Sequence, residues 1–301
     1  MEKLKVLLKS VWWLAVLIYV SIFLYSNFES VIAVTARLSY SDISIALICL
    51  LFGKLLLAYV MQLSLTRHST FISNIRCFQI YNHSQLGKYI PGSIWQFIGR
   101  ISLYKEAGIS NVIIRDSILL ETFWVLASSA LIGLGFTLIF SQVALSDLIS
   151  FLPNYPYSYI IAALILLYAA LSITPWGKRF NSYLIKLRFT PLSAVTSAVI
   201  WIFLGISFWI TLIPFSTDYI QPGYIIGLFA LSYAIGFVVP FAPAGLGIRE
   251  AVLVIGLLHI LDKETSIVLA SLNRILYISI EIFLAFAATL LKQHATQFKK
   301  T

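Results

Sequence analysis

Long apolar runs separated by short polar connections fill the chain, and their lengths set the fold class before any motif is read. Val11 to Tyr25, Ile43 to Leu65, Ile113 to Phe140, Tyr159 to Ile173, Pro191 to Ile213 and Thr265 to Leu291 approach or exceed the roughly 20 residues that carry a helix across a hydrocarbon layer about 30 Å thick. Two further apolar segments are interrupted. Phe71 to Gly108 contains Gln85-Leu86-Gly87-Lys88-Tyr89-Ile90-Pro91-Gly92-Ser93, which places a charge, two glycines and a proline in its middle and leaves arms at Phe71 to Leu86 and from Ser93 to Tyr104. Gly223 to Val239 and Ile248 to Leu261 flank Pro240-Phe241-Ala242-Pro243-Ala244-Gly245-Leu246-Gly247. Proline and clustered glycine stop a helix, so each arm is too short for a full crossing. The pattern predicts an all-α polytopic membrane protein with six full spans and two broken re-entrant hairpins.

Composition agrees and narrows the picture. The 301 residues are 60% hydrophobic and only 11% charged, with a mean hydropathy of +0.93, whereas soluble domains carry about 25% charged residues. A soluble globular protein is excluded, and residues 1–301 are predicted to form a single membrane domain. The net charge of +9 is not spread as a nucleic-acid footprint. Lys3, Lys5 and Lys9 precede the first run, Lys178, Arg179, Lys186 and Arg188 crowd one loop, and Lys292, Lys299 and Lys300 close the chain. The positive-inside rule makes these segments, and both termini, cytoplasmic.

The first run is longer than a signal-peptide core, and no small-x-small pattern follows in Ser26-Asn27-Phe28-Glu29, so it is expected to stay as a span. Trp12 and Trp13 then belong to the headgroup belt. The connection holding Arg37 and Asp42 is expected to be a polar link. Cys49, Cys77 and His259 stand without ligand spacing and are expected to pack or to sit at the interface; no metal or cofactor is implied.

The two halves, about 1–141 and 157–291, follow one plan in opposite senses: span, span, broken hairpin, span. Paired interrupted helices in an inverted repeat point to a transport site at the membrane midplane. Helices restarting at Ser93 and near Ile248 would offer unpaired N–H groups and positive dipole ends to an anion, above all a phosphate. Lys88, Arg100 and Arg249 add positive charge beside the same breaks. The expected substrate site therefore comprises Lys88, Ser93, Arg100, Gly245, Gly247, Arg249 and Glu250. Ionisable residues within spans face partners or a wet cavity; Lys54, Glu121, Arg274 and Glu281 are the candidates. Arg274 and Glu281 lie two turns apart on one helical face, with Glu121 or Glu250 as the expected opposing partners.

Leu86-Gly87-Lys88-Tyr89-Ile90-Pro91-Gly92-Ser93-Ile94-Trp95 through Gly99-Arg100, together with Val239-Pro240-Phe241-Ala242-Pro243-Ala244-Gly245-Leu246-Gly247-Ile248-Arg249-Glu250-Ala251, resembles the pattern of the lysylphosphatidylglycerol synthase transmembrane region, or flippase-like, family. The resemblance covers nearly the whole chain, and its second motif is the more specific. Ala244 stands where relatives often carry a further glycine. What the resemblance implies is a prokaryotic plasma-membrane protein that handles lipid. Bifunctional members move an aminoacylated phospholipid between leaflets and continue into a soluble aminoacyltransferase domain; this chain, ending at Thr301, is expected to lack that domain and its synthesis.

These readings converge on a flippase-like protein that translocates a phospholipid or a polyprenyl-phosphate-linked saccharide, with a role in cell-envelope biogenesis and no nucleic-acid partner. A non-transporting subunit working beside envelope polysaccharide or lipid biosynthesis enzymes is the alternative. An enzyme is not expected: the chain has no nucleotide-binding glycine loop, no His-Glu-x-x-His motif and no nucleophile elbow. An intramembrane transferase would need Glu121, Glu250 or Glu281 as its base.

Overall fold

The computed structural model of the protein describes residues 28–68, 70, 72–90, 94–140, 191–215, 219–239 and 242–297. The expected spans Val11 to Tyr25 and Tyr159 to Ile173, the basic loop at 178–188 and Ser93 lie outside the described residues. Among those described there is no strand. Helices run α1 Phe28–Arg37, α2 Tyr40–Thr66, α3 Asn74–Gln85, α4 Trp95–Glu106, α5 Asn111–Phe140, α6 Pro191–Leu212, α7 Pro222–Val238, α8 Ile248–Leu257 and α9 Lys263–Gln297.

Four of them are long and apolar enough to cross a membrane: α2, α5, α6 with its 3₁₀ extension to Phe215, and α9 up to Leu291. They place polar groups inward and large apolar groups outward. On α5, Glu121 and Ser129 are buried while Leu131 and Ile139 are 74% and 73% exposed, an arrangement suited to lipid around the helices and polar contacts among them. The interhelical bonds follow this logic. Trp201 Nε1 on α6 donates to Ser128 Oγ on α5 at 2.9 Å, and Ser207 Oγ on α6 donates to the Ala46 carbonyl on α2 at 2.9 Å. Small residues let the backbones close up: a Cβ at Gly227 of α7 would lie 2.6 Å from the Thr137 nitrogen of α5.

Where a polar link was expected around Arg37 and Asp42, the chain instead forms α1 and passes directly into α2. Ser39 and Asp42 explain the junction: the Asp42 N–H donates to Ser39 Oγ at 3.1 Å and the Ser39 N–H donates to Asp42 Oδ2 at 3.2 Å, a reciprocal cap that starts α2. The polar residues there end one helix and begin the next. Asp262 does the same for α9, accepting the Thr265 N–H at 2.8 Å, a bond that holds its carboxyl below the usual range.

Both interrupted segments break where expected. α3 tightens into a 3₁₀ turn at Leu86–Tyr89 before the chain restarts as α4, and α7 ends at Val238 before a 3₁₀ turn at Pro243–Gly245 and the start of α8. The two turns touch each other, and both pack against α9 or the helices beside it.

Candidate functional site

Between the two breaks lies a cavity of about 230 Å³. Its polar wall is contributed by Lys54 from α2, Lys88 from the first turn, Arg100 from α4, Glu121 from α5 and Arg249 from α8; Leu57, Phe97, Val125 and Leu126 supply apolar surface. Of the expected substrate residues, Lys88, Arg100, Gly245 and Arg249 line it. Gly247 and Glu250 do not. Lys88, whose side chain is 11% exposed, is turned inward on an ion pair and does not snorkel to an interface.

Glu281 on α9 receives both Lys54 and Lys88 as ion-pair partners, and the Tyr89 hydroxyl donates to its other oxygen at 2.6 Å. Arg100 Nη1 donates to Glu121 Oε2 at 2.8 Å, and the Tyr81 hydroxyl donates to Glu121 Oε1 at 3.1 Å. Arg274 Nε sits 3.4 Å from Glu250 Oε1, and its Nη2 donates to the Ala244 carbonyl at 2.9 Å. The expected opposition of α9 by Glu250 is therefore present at Arg274. Glu121 does not face α9 and is engaged by Arg100, because α5 presents it toward α4. Glu281 is opposed by lysines of α2 and the first turn. Glu281 thus fastens α9 to the first break, and Arg274 fastens it to the second while its guanidinium also lies 5.7 Å from the Tyr89 ring of the first.

The helix starts differ from expectation. α4 begins with Ile94 as its N-cap, in the right-handed helical region and with no side-chain cap bond; Ile94 and Gln96 line the cavity. At α8 the N-terminus is closed by its own sequence, since the Gly247 N–H donates to Glu250 Oε2 at 2.7 Å. Glu250 spends its charge on that helix end and on Arg274, so it ties the start of α8 to α9.

The second break is built around backbone geometry. Gly245 and Gly247 have φ of +69° and +82°, and Ala244 sits at φ +53°, ψ +21°, a left-handed conformation that costs an alanine about 1–2 kcal/mol. Ala244→Gly is expected to raise stability by up to about 1 kcal/mol, because the strain released exceeds the about 0.5–1 kcal/mol of added chain entropy. Thermal unfolding in detergent checks this, and a lowered midpoint would contradict it. Gly245 also makes room for Arg249: a Cβ there would lie 3.0 Å from Arg249 Cγ, and one at Gly236 on α7 would lie 2.5 Å from the same atom.

Aromatic rings complete the site. Arg249 Cζ lies 5.4, 5.2 and 5.0 Å from the ring centroids of Phe229, Tyr233 and Tyr277, and Lys54 Nζ lies 3.2 Å above Tyr277. Tyr81, Tyr89, Tyr233, Tyr277 and Gly236 were not among the residues singled out by sequence. Tyrosines are frequent in this chain, 16 in all, so nothing in their spacing separates these four from belt or packing residues. Cys77 is buried with its sulfur 3.1 Å from the Tyr104 hydroxyl, a packing role as expected, and Cys49 is half-buried. His259 is exposed. Among the described residues, no group of three His, Cys, Asp or Glu side chains is placed to hold a metal. Compared with family models and with curated proteins, the chain matches none.

Proposed function

We propose that the protein is an integral-membrane carrier for lipids with a phosphate-bearing headgroup, and that the cavity between the two broken segments is the headgroup site. The observation that carries this reading is the gathering of Lys54, Lys88, Arg100 and Arg249 around one small cavity, in a chain whose long helices are predominantly apolar. Buried cations at membrane depth are costly and persist where they face a partner, an aqueous path or a charged ligand. Phosphate is the membrane anion whose geometry suits guanidinium forks and lysine ammonium groups together.

In this reading the chain has six spans and two re-entrant hairpins related as an inverted repeat, lies in a prokaryotic plasma membrane and keeps both termini cytoplasmic. Each hairpin is held to α9 by its own ion pair, so one can loosen while the other stays shut, as alternating access requires. A phosphate entering beside Lys88 competes with Glu281 for the same ammonium, which gives the ligand a means of releasing the first break. No residue pair is needed for bond-making chemistry, and the proposal is a transporter.

The test is headgroup translocation by the full chain reconstituted in liposomes, with labelled phosphate lipids offered in turn. At least one class is expected to cross faster than in protein-free vesicles. Arg249→Ala is expected to slow it by about tenfold or more, the equivalent of one charge-assisted contact. Folded protein that moves no phosphate lipid, or an Arg249→Ala variant that moves it at the wild-type rate, overturns the proposal.

A further inference from the structure

The cavity's charges do not cancel, and the remainder identifies what the site is built to receive. Lys54 and Lys88 share the single carboxylate of Glu281. Arg100 has Glu121 to itself. Arg249 is 6% exposed, its Nε N–H has no hydrogen-bond partner, its guanidinium shares a hydrogen bond with the Tyr277 hydroxyl, and among the described residues no carboxylate lies within ion-pair distance of it. Among the described residues, four cations at the cavity therefore face two carboxylates, and two positive charges are left over: one on the lysine pair and one on Arg249.

These two excess charges line the same space, Lys88 from the first break and Arg249 from the second, 5.2 and 5.0 Å from the centroid of the Tyr277 ring. The rings of Phe229, Tyr233 and Tyr277 hold Arg249 by cation–π contact, which steadies a cation without neutralising it. Gly236 and Gly245 leave the passage through which its stem reaches the cavity. An uncompensated buried charge is unfavourable until an opposite charge meets it, and the arrangement leaves two such charges for one guest.

Resting on the transport reading, we propose that the site selects a doubly charged phosphate group, a phosphomonoester or a diphosphate, over singly charged phosphodiester headgroups and over headgroups carrying ammonium. A phosphodiester supplies one negative charge and leaves one cation unmet. An ammonium-bearing headgroup fares worse, because both carboxylates near the cavity are already committed: Glu281 to two lysines and Tyr89, Glu121 to Arg100 and Tyr81. The volume sets a further limit. At about 230 Å³ the cavity lies below the roughly 300–1,000 Å³ of sites for drug-sized ligands, so it admits a compact anion and keeps lipid chains or a large saccharide outside.

The charge requirement can be met by a lipid headgroup or by a water-soluble phosphate, and the experiment separates them. Purified full-length protein in detergent at pH 8, above the second phosphate pKa of about 6, is titrated with phosphatidate, phosphatidylglycerol, lysylphosphatidylglycerol and inorganic phosphate, with binding read by thermal shift and by calorimetry. Phosphatidate is expected to bind about tenfold or more tightly than phosphatidylglycerol, and lysylphosphatidylglycerol weakest. Arg249→Gln should collapse that preference, and Arg249→Lys should keep it, which distinguishes lost charge from lost fold. Inorganic phosphate binding as tightly as phosphatidate upholds the charge selection and makes a soluble anion the cargo. Equal or tighter binding of phosphatidylglycerol or lysylphosphatidylglycerol overturns the inference. The two proposals fail separately: translocation of a monoanionic lipid without dianion preference sinks only the selectivity, and dianion-selective binding without translocation of any lipid sinks only the transport reading.

Discussion

Glu281→Leu is expected to destabilise the protein by about 3–5 kcal/mol, the range seen when one partner of a buried ion pair is removed. The side chain is 3% exposed, and its carboxylate is the ion-pair partner of both Lys54 and Lys88 and the acceptor of the Tyr89 hydroxyl. Leucine fills much of the space but leaves two ammonium groups and a hydroxyl without their acceptor in a largely buried site, where each has a desolvation penalty to meet. The loss also unfastens the first break from α9, since Lys88 and Tyr89 both belong to that turn. Thermal unfolding in detergent should show a midpoint lowered by several degrees, with limited proteolysis opening first near residues 86–90. A triple variant, Lys54→Met with Lys88→Met and Glu281→Leu, should recover much of the stability, because removing all the charges removes the penalty with them. A single variant that melts within a degree of wild type would mean that water reaches the lysines and that the site is not dry.

The contrast between what the chain announces and what it conceals follows from the range of each physical signal. Spans depend on local hydropathy, so Tyr40–Thr66, Asn111–Phe140, Pro191–Leu212 and Lys263–Gln297 contain or closely match the runs read from the sequence. Breaks depend on local proline and glycine, and the turns at Leu86–Tyr89 and Pro243–Gly245 lie within the two motifs. Partnership has no such local signal. Glu281 meets residues 193 and 227 positions away, a choice settled by how α2 and the first turn pack on α9. Capping depends on spacing more than on residue type. Ser39 and Asp42 look like loop residues when taken singly, whereas their spacing of three makes them a reciprocal cap. Ala244 shows the reverse case: it stands among the glycines of the second break and takes the positive φ that a glycine adopts freely.

Arg100→Leu is the second large effect, again about 3–5 kcal/mol, and it separates stability from recognition. Arg100 is 1% exposed, and its loss leaves Glu121 buried with only the Tyr81 hydroxyl at 3.1 Å. Pairing Arg100→Leu with Glu121→Leu should restore most of the lost stability, giving a coupling energy in a double-mutant cycle at least as large as the loss in either single variant, about 3–5 kcal/mol or more. That outcome follows from the pair's neutrality: a cation and an anion leave together and no buried charge is stranded. The same neutrality carries a second expectation. Deleting the pair leaves the two excess positive charges of the cavity in place, so the preference for a dianionic phosphate should survive in the double variant while it is lost in Arg249→Gln. If the double variant is stable yet has lost the preference, Arg100 contacts the ligand directly and Glu121 is the group it leaves to do so; if the loss in the double variant equals the sum of the two single losses, the pair is not coupled and its contact contributes little.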